Sequence, residues 1–231
     1  MAAPKKLEDY PRPGVAVDLA VLTVRGTPDT PELCVLLQQQ DGGSKLVVPG
    51  RFVHQGQSVD RAIEVLLEEK VGIALPAGKT PRLLEVFSEP DRDDRSWVIS
   101  VAKVVVLHQD LVASARGELV PVRSDGSVSV ELAYDHAEIV SAAVEAVRDQ
   151  YEIRKKYLDV SPDPEGLLTP PWTMGQLRKL HEAVLGAPLQ KDAFARRMDG
   201  LVEPVLQKDG TPVMNVGIGR PAQLQRPKKR R

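Results

Sequence analysis

Apolar positions along this chain fall into two regimes. Over residues 15–108 they come mainly in short runs rich in valine and leucine, at 15–24, 33–39, 82–88 and 97–108, set off by turn formers such as the 25–31 cluster and Gly42-Gly43. Runs of this length and composition predict strands. Between them, Val59, Ala62, Ile63, Leu66 and Leu67 recur at helical spacing, with Ser58 placed to cap the start and Gly72 to stop the end. A second helix is predicted over residues 137–155. Strands, a helix, then more strands make an α+β arrangement.

The period changes after residues 161–171, where four prolines in eleven residues forbid continuous helix. Thr173 is placed to cap a helix over 174–185 that carries Leu177, Leu180, Val184 and Leu185 on one face and ends at Gly186. Residues 190–201 predict another helix, anchored by Phe194 and Met198. Residues 202–206 and 213–216 then flank Lys208-Asp-Gly-Thr211, a hairpin signal. Two short helices followed by a hairpin resemble a winged helix-turn-helix. The expected division is an extended leader (1–13), an α+β domain with its C-terminal connecting helix (14–155), a proline-rich linker (156–172), a winged helix (173–226) and a basic tail (227–231), with disorder from Arg226 onward.

The net charge of −1 conceals a split. From Thr173 onward twelve Lys and Arg face five Asp and Glu, giving +7 and leaving −8 for the rest. A basic end module on an acidic body points to nucleic acid. The single cysteine, Cys34, excludes an intrachain disulfide framework, and its apolar strand context predicts a buried structural thiol. No apolar run approaches the roughly 20 residues of a membrane helix, and the first residues lack a signal-type apolar segment. The expectation is a cytoplasmic protein with no membrane contact.

Residues 50–73, a Gly-bearing loop leading into an amphipathic helix and a Gly stop, have the layout of the Nudix motif G-x5-E-x7-R-E-U-x-E-E-x-G-U, U being a bulky apolar residue. Counted back from Gly72, the first Gly falls on Arg51, the first Glu on Gln57, the Arg-Glu pair on Val65-Leu66 and the metal-binding Glu pair on Glu69-Lys70. Only Glu69, Gly72, Leu67 and Ile73 fit. One carboxylate beside an ammonium does not make a clustered-carboxylate Mg²⁺ site, so the layout favours a nucleotide-like ligand while the residues disfavour hydrolysis. Three further stretches join it. Residues 89–101, Glu-Pro-Asp-Arg-Asp-Asp-Arg-Ser-Trp-Val-Ile-Ser-Val, are similar to the P-x-R-D-P-R-x-W-x-x-S-V segment of the Nudix-related transcriptional regulators, the NrtR family, with Asp94 where Pro is usual. Residues 132–139 resemble its L-A-F-D-H-A-E-I. Residues 173–198, together with Gly219-Arg-Pro-Ala222, resemble its winged-helix signature.

That resemblance, spanning roughly residues 15–226, implies a Nudix-like α/β/α sandwich followed by a winged helix-turn-helix. It implies a homodimeric bacterial repressor of NAD biosynthesis or salvage genes that binds a palindromic operator. The Nudix-like domain is implied to sense ADP-ribose or a related nucleotide, with no cofactor required. Sugar-responsive members share the architecture and leave the ligand open. The alternative from the enzyme class is a hydrolase of ADP-ribose, which needs carboxylates from Asp91, Asp93 or Asp94.

The DNA-contact candidates are Lys191, Arg196 and Arg197 on the second winged-helix helix, because arginine and lysine reach phosphates and guanine edges. Thr173 and Lys179 are candidates for phosphate, and Arg220 for phosphate or minor groove from the wing. The effector-contact candidates are Arg51, Gln57 and Glu69 in the box and Arg92, Arg95 and Trp97 in the strand-entry segment, since arginines pair bidentately with diphosphate and an aromatic ring stacks on a base. The two arginines also sit among Asp91, Asp93 and Asp94, which makes surface ion pairs the competing reading. His136 falls at the entry to the connecting helix, a structural junction rather than an acid–base position. No catalytic residues and no metal ligands are expected, and His54, His108 and His181 lack ligand spacing.

Overall fold

The computed structural model describes residues 6, 9–152, 161–216 and 221–228. Its centre is strand β1 (Gly14–Thr27), whose residues 16–24 are all buried. β1 pairs antiparallel with β2 (Thr30–Gln39) and parallel with β6 (Val98–Val106). β3 (Leu46–Val47) and β5 (Arg82–Phe87) extend the sheet beyond β2 and β6, β4 (Gly50–Phe52) pairs with the start of β1, and β7 (Glu118–Pro121) pairs with β2.

Alternation along β1 sorts its side chains to two cores. Val17, Leu19 and Val21 face helix α1 (Val59–Val65) and the π-helical turn Leu66–Val71 that continues it. Ser58 caps α1, its side chain accepting from the Arg61 amide at 3.1 Å. Gly72 closes the π-turn in the left-handed region (φ 79), donating to the Leu67 carbonyl five residues back. A short helix α2 (Gln109–Val112) follows β6.

Ala20, Leu22 and Val24 face the other way, onto α3 (His136–Tyr151). The same core then runs without interruption into the C-terminal elements: β8 (Trp172–Thr173), α4 (Met174–Leu185) and α5 (Lys191–Met198). Leu177, Leu180, Val184, Phe194 and Met198 are buried in one cluster with Val24, Leu33 and Val35 of the sheet. A four-stranded sheet finishes the module. β11 (Ala222–Pro227) pairs antiparallel with β8, with β9 (Val202–Pro204) and with β10 (Met214–Asn215). This is the α/β/α sandwich followed by a winged helix.

Three expectations change. The proline-rich stretch is packed rather than a free linker from Ser161 on. Asp163, Glu165 and Leu167 are buried, the Tyr151 hydroxyl donates to Asp163 at 2.6 Å, and Lys79 and Arg82 both pair with Glu165. The turn at 207–211 forms as expected, with Gln207 N donating to Thr211 O at 2.8 Å. Its arms, however, are knit together mainly through β11, which alternation in a six-residue polar stretch did not signal. Arg226 therefore lies in a strand, bonded to Glu203 at 2.8 Å, and Lys228 N donates to Leu201 O. The connecting helix ends at Tyr151, and its predicted residues 153–155, with 156–160, lie outside the described residues, as do Gly219, Arg220 and 229–231.

One core serving both modules predicts one unfolding event. Leu180→Ala removes a fully buried side chain from the shared cluster and should lower stability by about 2–5 kcal/mol. Trp97 and Trp172 sit in different modules, so denaturation followed separately at each in single-tryptophan variants should give coincident transitions.

Candidate effector cavity and nucleic-acid interface

A cavity of about 300 Å³ opens between the start of β1, β4, the π-turn and the 92–95 loop. Its floor is a buried polar knot. Asp18 accepts from the Ser100 hydroxyl at 2.6 Å and lies 3.5 Å from Arg92 Nη2. Gly50 crosses directly above it, where a Cβ would stand 2.0 Å from Asp18 Oδ1. The backbone at Gly50, immediately before Arg51, therefore leaves no room for a side chain.

Arg92 is held from a distance. Its Nε and Nη2 donate to the two oxygens of Asp135 at 2.7 and 2.6 Å, the bidentate geometry that arginine favours. Asp135 stands at the N-cap of α3 but makes no side-chain cap; its carboxylate serves Arg92 instead. The next residue, His136, is buried and accepts the Val48 amide on Nδ1 at 2.9 Å, which fixes the neutral ring with its proton on Nε2. Burial holds its pKa below the usual 6.5 despite Asp18 at 3.8 Å and the neighbouring Asp135. Asp93 takes both Nε and Nη2 of Arg95 at 2.8 and 2.7 Å, which lowers the pKa of the carboxyl. Arg95 also lies over the Tyr134 ring at 4.8 Å. Tyr134 has φ 57, a conformation uncommon for a residue with a Cβ, and its hydroxyl accepts from Gln40 at 3.0 Å.

Of the predicted effector residues, the cavity gathers Arg51, Arg92 and Arg95. Glu69 stands at the rim, 3.5 Å from Arg51, with its side chain 73% exposed. Gln57 faces its own loop, accepting from the His54 amide at 3.3 Å, and Trp97 is half exposed outside the cavity. The ion pairs of Arg92 and Arg95 divide between the two sequence readings: Arg95 pairs with its neighbour Asp93, whereas Arg92 reaches Asp135 and Asp18. Lys70, Gln40, Tyr134, Asp18 and His136 also line the cavity and were not predicted there. Lys70 carried a signal in its place beside Glu69 in the box, and Tyr134 and His136 in theirs within the 132–139 segment.

On the winged helix, Lys191, Arg196 and Arg197 are exposed on α5, and neither guanidinium has a hydrogen bond or ion pair among the described residues. Phe194 and Met198 anchor the opposite face, Phe194 edge-on to His181 at 5.0 Å. Thr173 is buried, its hydroxyl accepting the Gln176 amide at 3.1 Å in a capping box. Lys179 Nζ donates to the Asp29 carbonyl at 2.7 Å, tying α4 to the β1–β2 turn. Arg220 lies outside the described residues. Cys34 is buried with its thiol pushed up to about 11 by desolvation, as a structural cysteine should be.

Residues 165–226 match the NrtR DNA-binding winged helix domain. Over 94% of this chain and 83% of the relative, the sequence is 30% identical to the ADPR responsive transcriptional repressor NtrR of Acinetobacter baylyi. This chain belongs to the NrtR family. The first part of the chain also has an enzyme relative: over 59% of this chain and 76% of that protein it is 30% identical to the ADP-ribose pyrophosphatase of Methanocaldococcus jannaschii. Among solved folds, Shewanella oneidensis NrtR complexed with a 27mer DNA superposes with TM-score 0.67 at 24% identity, covering 93% of each chain. A MutT/nudix family protein from Enterococcus faecalis superposes with TM-score 0.66 at 21% identity, covering 96% of this chain and 90% of that one. The NrtR fold accounts for both modules and their order.

The two buried histidines give the fold a pH dependence. His136 and His181 are both held below the usual 6.5 mainly by burial. The unfolded chain therefore takes up protons first as pH falls, and stability, unaffected by these groups above about 6.5, declines as pH drops below it. Urea melts between about pH 7.5 and pH 5 should show that decline, and a His136→Gln, His181→Gln double variant should flatten it.

Proposed function

We propose that this NrtR-family protein is a transcriptional repressor that grips operator DNA through α5 and lets go when ADP-ribose enters the cavity on β4. The observation that carries the reading is the placement of α3. Its first residue, His136, lines the cavity, and the preceding Asp135 clamps Arg92. Its last turn carries Arg148, whose Nε donates to Val184 O of α4 at 3.1 Å, and Tyr151, packed edge-on to His181 at 4.9 Å. A 16-residue helix spans about 24 Å, so one element is bolted to both sites. A ligand that binds one arrangement of the clamp better than another shifts the winged helix with it.

ADP-ribose is supported by the responsiveness named for the Acinetobacter relative and by the substrate named for the Methanocaldococcus one. The cavity's cationic wall suits a diphosphate, whereas a neighbouring cleft of about 600 Å³ sets Glu89, Asp91, Asp94, Asp135 and Glu138 against Lys45 and Arg92, a net acidic lining unsuited to phosphate. The family's theme of NAD biosynthesis and salvage genes supplies the proposed targets. We take turnover to be no part of the role: the carboxylates of the buried knot, Asp18, Asp93 and Asp135, are each occupied by arginine or serine donors, and no three His, Cys, Asp or Glu among the described residues are grouped to hold a metal. Purified protein with Mg²⁺ should release no AMP from ADP-ribose, and sustained release would establish the hydrolase alternative.

The operative unit is a homodimer on a palindromic site. Val15, Leu83 and Val86 are exposed on β1 and β5 at one end of the main sheet, and we take a second copy as the surface that covers them. Leu83→Glu with Val86→Glu should convert a dimer to a monomer in sedimentation experiments. Arg196→Ala and Arg197→Ala should each weaken operator binding roughly 5–150-fold, the worth of a bidentate base contact, with the melting temperature unchanged. Unchanged affinity would remove α5 from the interface.

A further inference from the structure

The four cations around the cavity differ in how firmly they are held. Arg92 and Arg95 each make two bonds of 2.6–2.8 Å to a single carboxylate. Arg51 and Lys70 do not. Arg51 Nη1 lies 3.5 Å from Glu69 and Lys70 Nζ 3.7 Å from Asp41, and those carboxylates are 73% and 90% exposed. Long pairs with solvated partners contribute little. Arg51 Nε is buried with no hydrogen-bond partner, a costly state for a charged donor. Lys70 Nζ makes one hydrogen bond, to the Gly50 carbonyl at 3.1 Å, so two of its three donors remain for a ligand.

Both side chains are positioned by backbone rather than by each other. Arg51 follows Gly50 in β4, which the approach of Asp18 fixes in place. Lys70 rides the π-turn, whose carbonyl at Lys70 accepts from the buried Gln38 amide at 3.0 Å; the same amide bonds Arg116 O at 2.7 Å. The turn directs Lys70 to the cavity and leaves Glu69 at the rim.

A divalent cation does not fit this wall. No group of three or more His, Cys, Asp or Glu among the described residues is arranged to hold one. The cavity's inner carboxylates, Asp18 and Asp93, are occupied by Ser100, Arg92 and Arg95, and the Gly50 carbonyl oxygen is occupied by the Lys70 ammonium. Mg²⁺ needs near-octahedral oxygen ligands, which these groups cannot supply without giving up their present bonds.

We propose that Arg51 and Lys70 form a diphosphate seat in which the Lys70 ammonium acts as a tethered cation, so that the effector binds without a divalent metal. This rests on the ADP-ribose reading and names how that ligand is held.

The test uses the full chain and two probes, ADP-ribose and inorganic pyrophosphate, titrated calorimetrically in EDTA and again in millimolar Mg²⁺. Both probes should bind in EDTA, with affinities that added Mg²⁺ does not raise. Lys70→Gln and Arg51→Gln should each weaken both probes roughly 10–100-fold, the worth of a hydrogen bond to a charged group. Lys70→Arg should recover most of the loss, and thermal melts confirm that the variants fold. Pyrophosphate binding that depends on Lys70, without ADP-ribose binding, would sink the functional reading and leave the seat standing. Binding that requires Mg²⁺, an unaffected Lys70→Gln, or no binding of either probe would overturn the seat.

Discussion

The paired hydrogen bonds between Arg92 and Asp135, at 2.7 and 2.6 Å, lie where the two halves of this protein's work meet. Arg92 comes from a loop at the mouth of the cavity, and Asp135 begins the helix that reaches the DNA-binding module. Both side chains are largely withdrawn from solvent. Breaking such a pair by removing one partner leaves a buried charge with nothing to face, so the cavity wall and the start of α3 hold a common position. Asp18 and Ser100 extend the knot into the main sheet, and His136 adds the Val48 amide in front of β4. A ligand entering here meets groups already fixed, and any shift it forces on Arg92 is passed to a rigid helix.

Along its buried face α3 is held by apolar contact. Ile139, Val140, Val144 and Val147 lie in the same cluster as Leu177, Leu180 and Val184 of α4 and Phe194 of α5. Close-packed surfaces do not deform gradually, so on the proposed reading a movement at the clamp is expected to displace the winged helix rather than loosen it locally. The packed segment after Ser161 reinforces this: Asp163, Glu165 and Pro162 bond to Tyr151, Lys79 and His181. What the proline content suggested was a linker is, from Ser161 on, packed against both modules.

Much of the architecture was legible in the sequence, because strands, caps and stops obey local rules. Ser58, Gly72, Thr173 and Gly186 all act at the helix ends where their types predicted them. Cys34 is buried, and Phe194 and Met198 anchor α5 as their spacing required. What escaped was non-local. The π-helical geometry of Leu66–Val71 leaves no mark in the composition of the box helix. Arg92 was weighed against Asp91, Asp93 and Asp94, yet its partners lie 43 and 74 residues away. Gln40 reaches the cavity through tertiary placement that no motif encodes, and the motif that holds Tyr134 gave no indication that its ring faces the cavity. β11 was missed because a short polar strand carries little alternation, and it is held by three partner strands rather than by its own pattern.

On the proposed reading α3 couples the cavity to the DNA-reading helix, and coupling between two binding sites is reciprocal. The most direct measurement is therefore a thermodynamic cycle: the affinity for operator DNA with and without saturating ADP-ribose, and the affinity for ADP-ribose with and without saturating operator. Each ligand should weaken the other by the same factor, and that factor should collapse toward one in Arg92→Lys, which keeps the charge but loses the paired geometry to Asp135. Equal operator affinity in the presence and absence of bound ADP-ribose, or coupling that survives intact in Arg92→Lys, would contradict it.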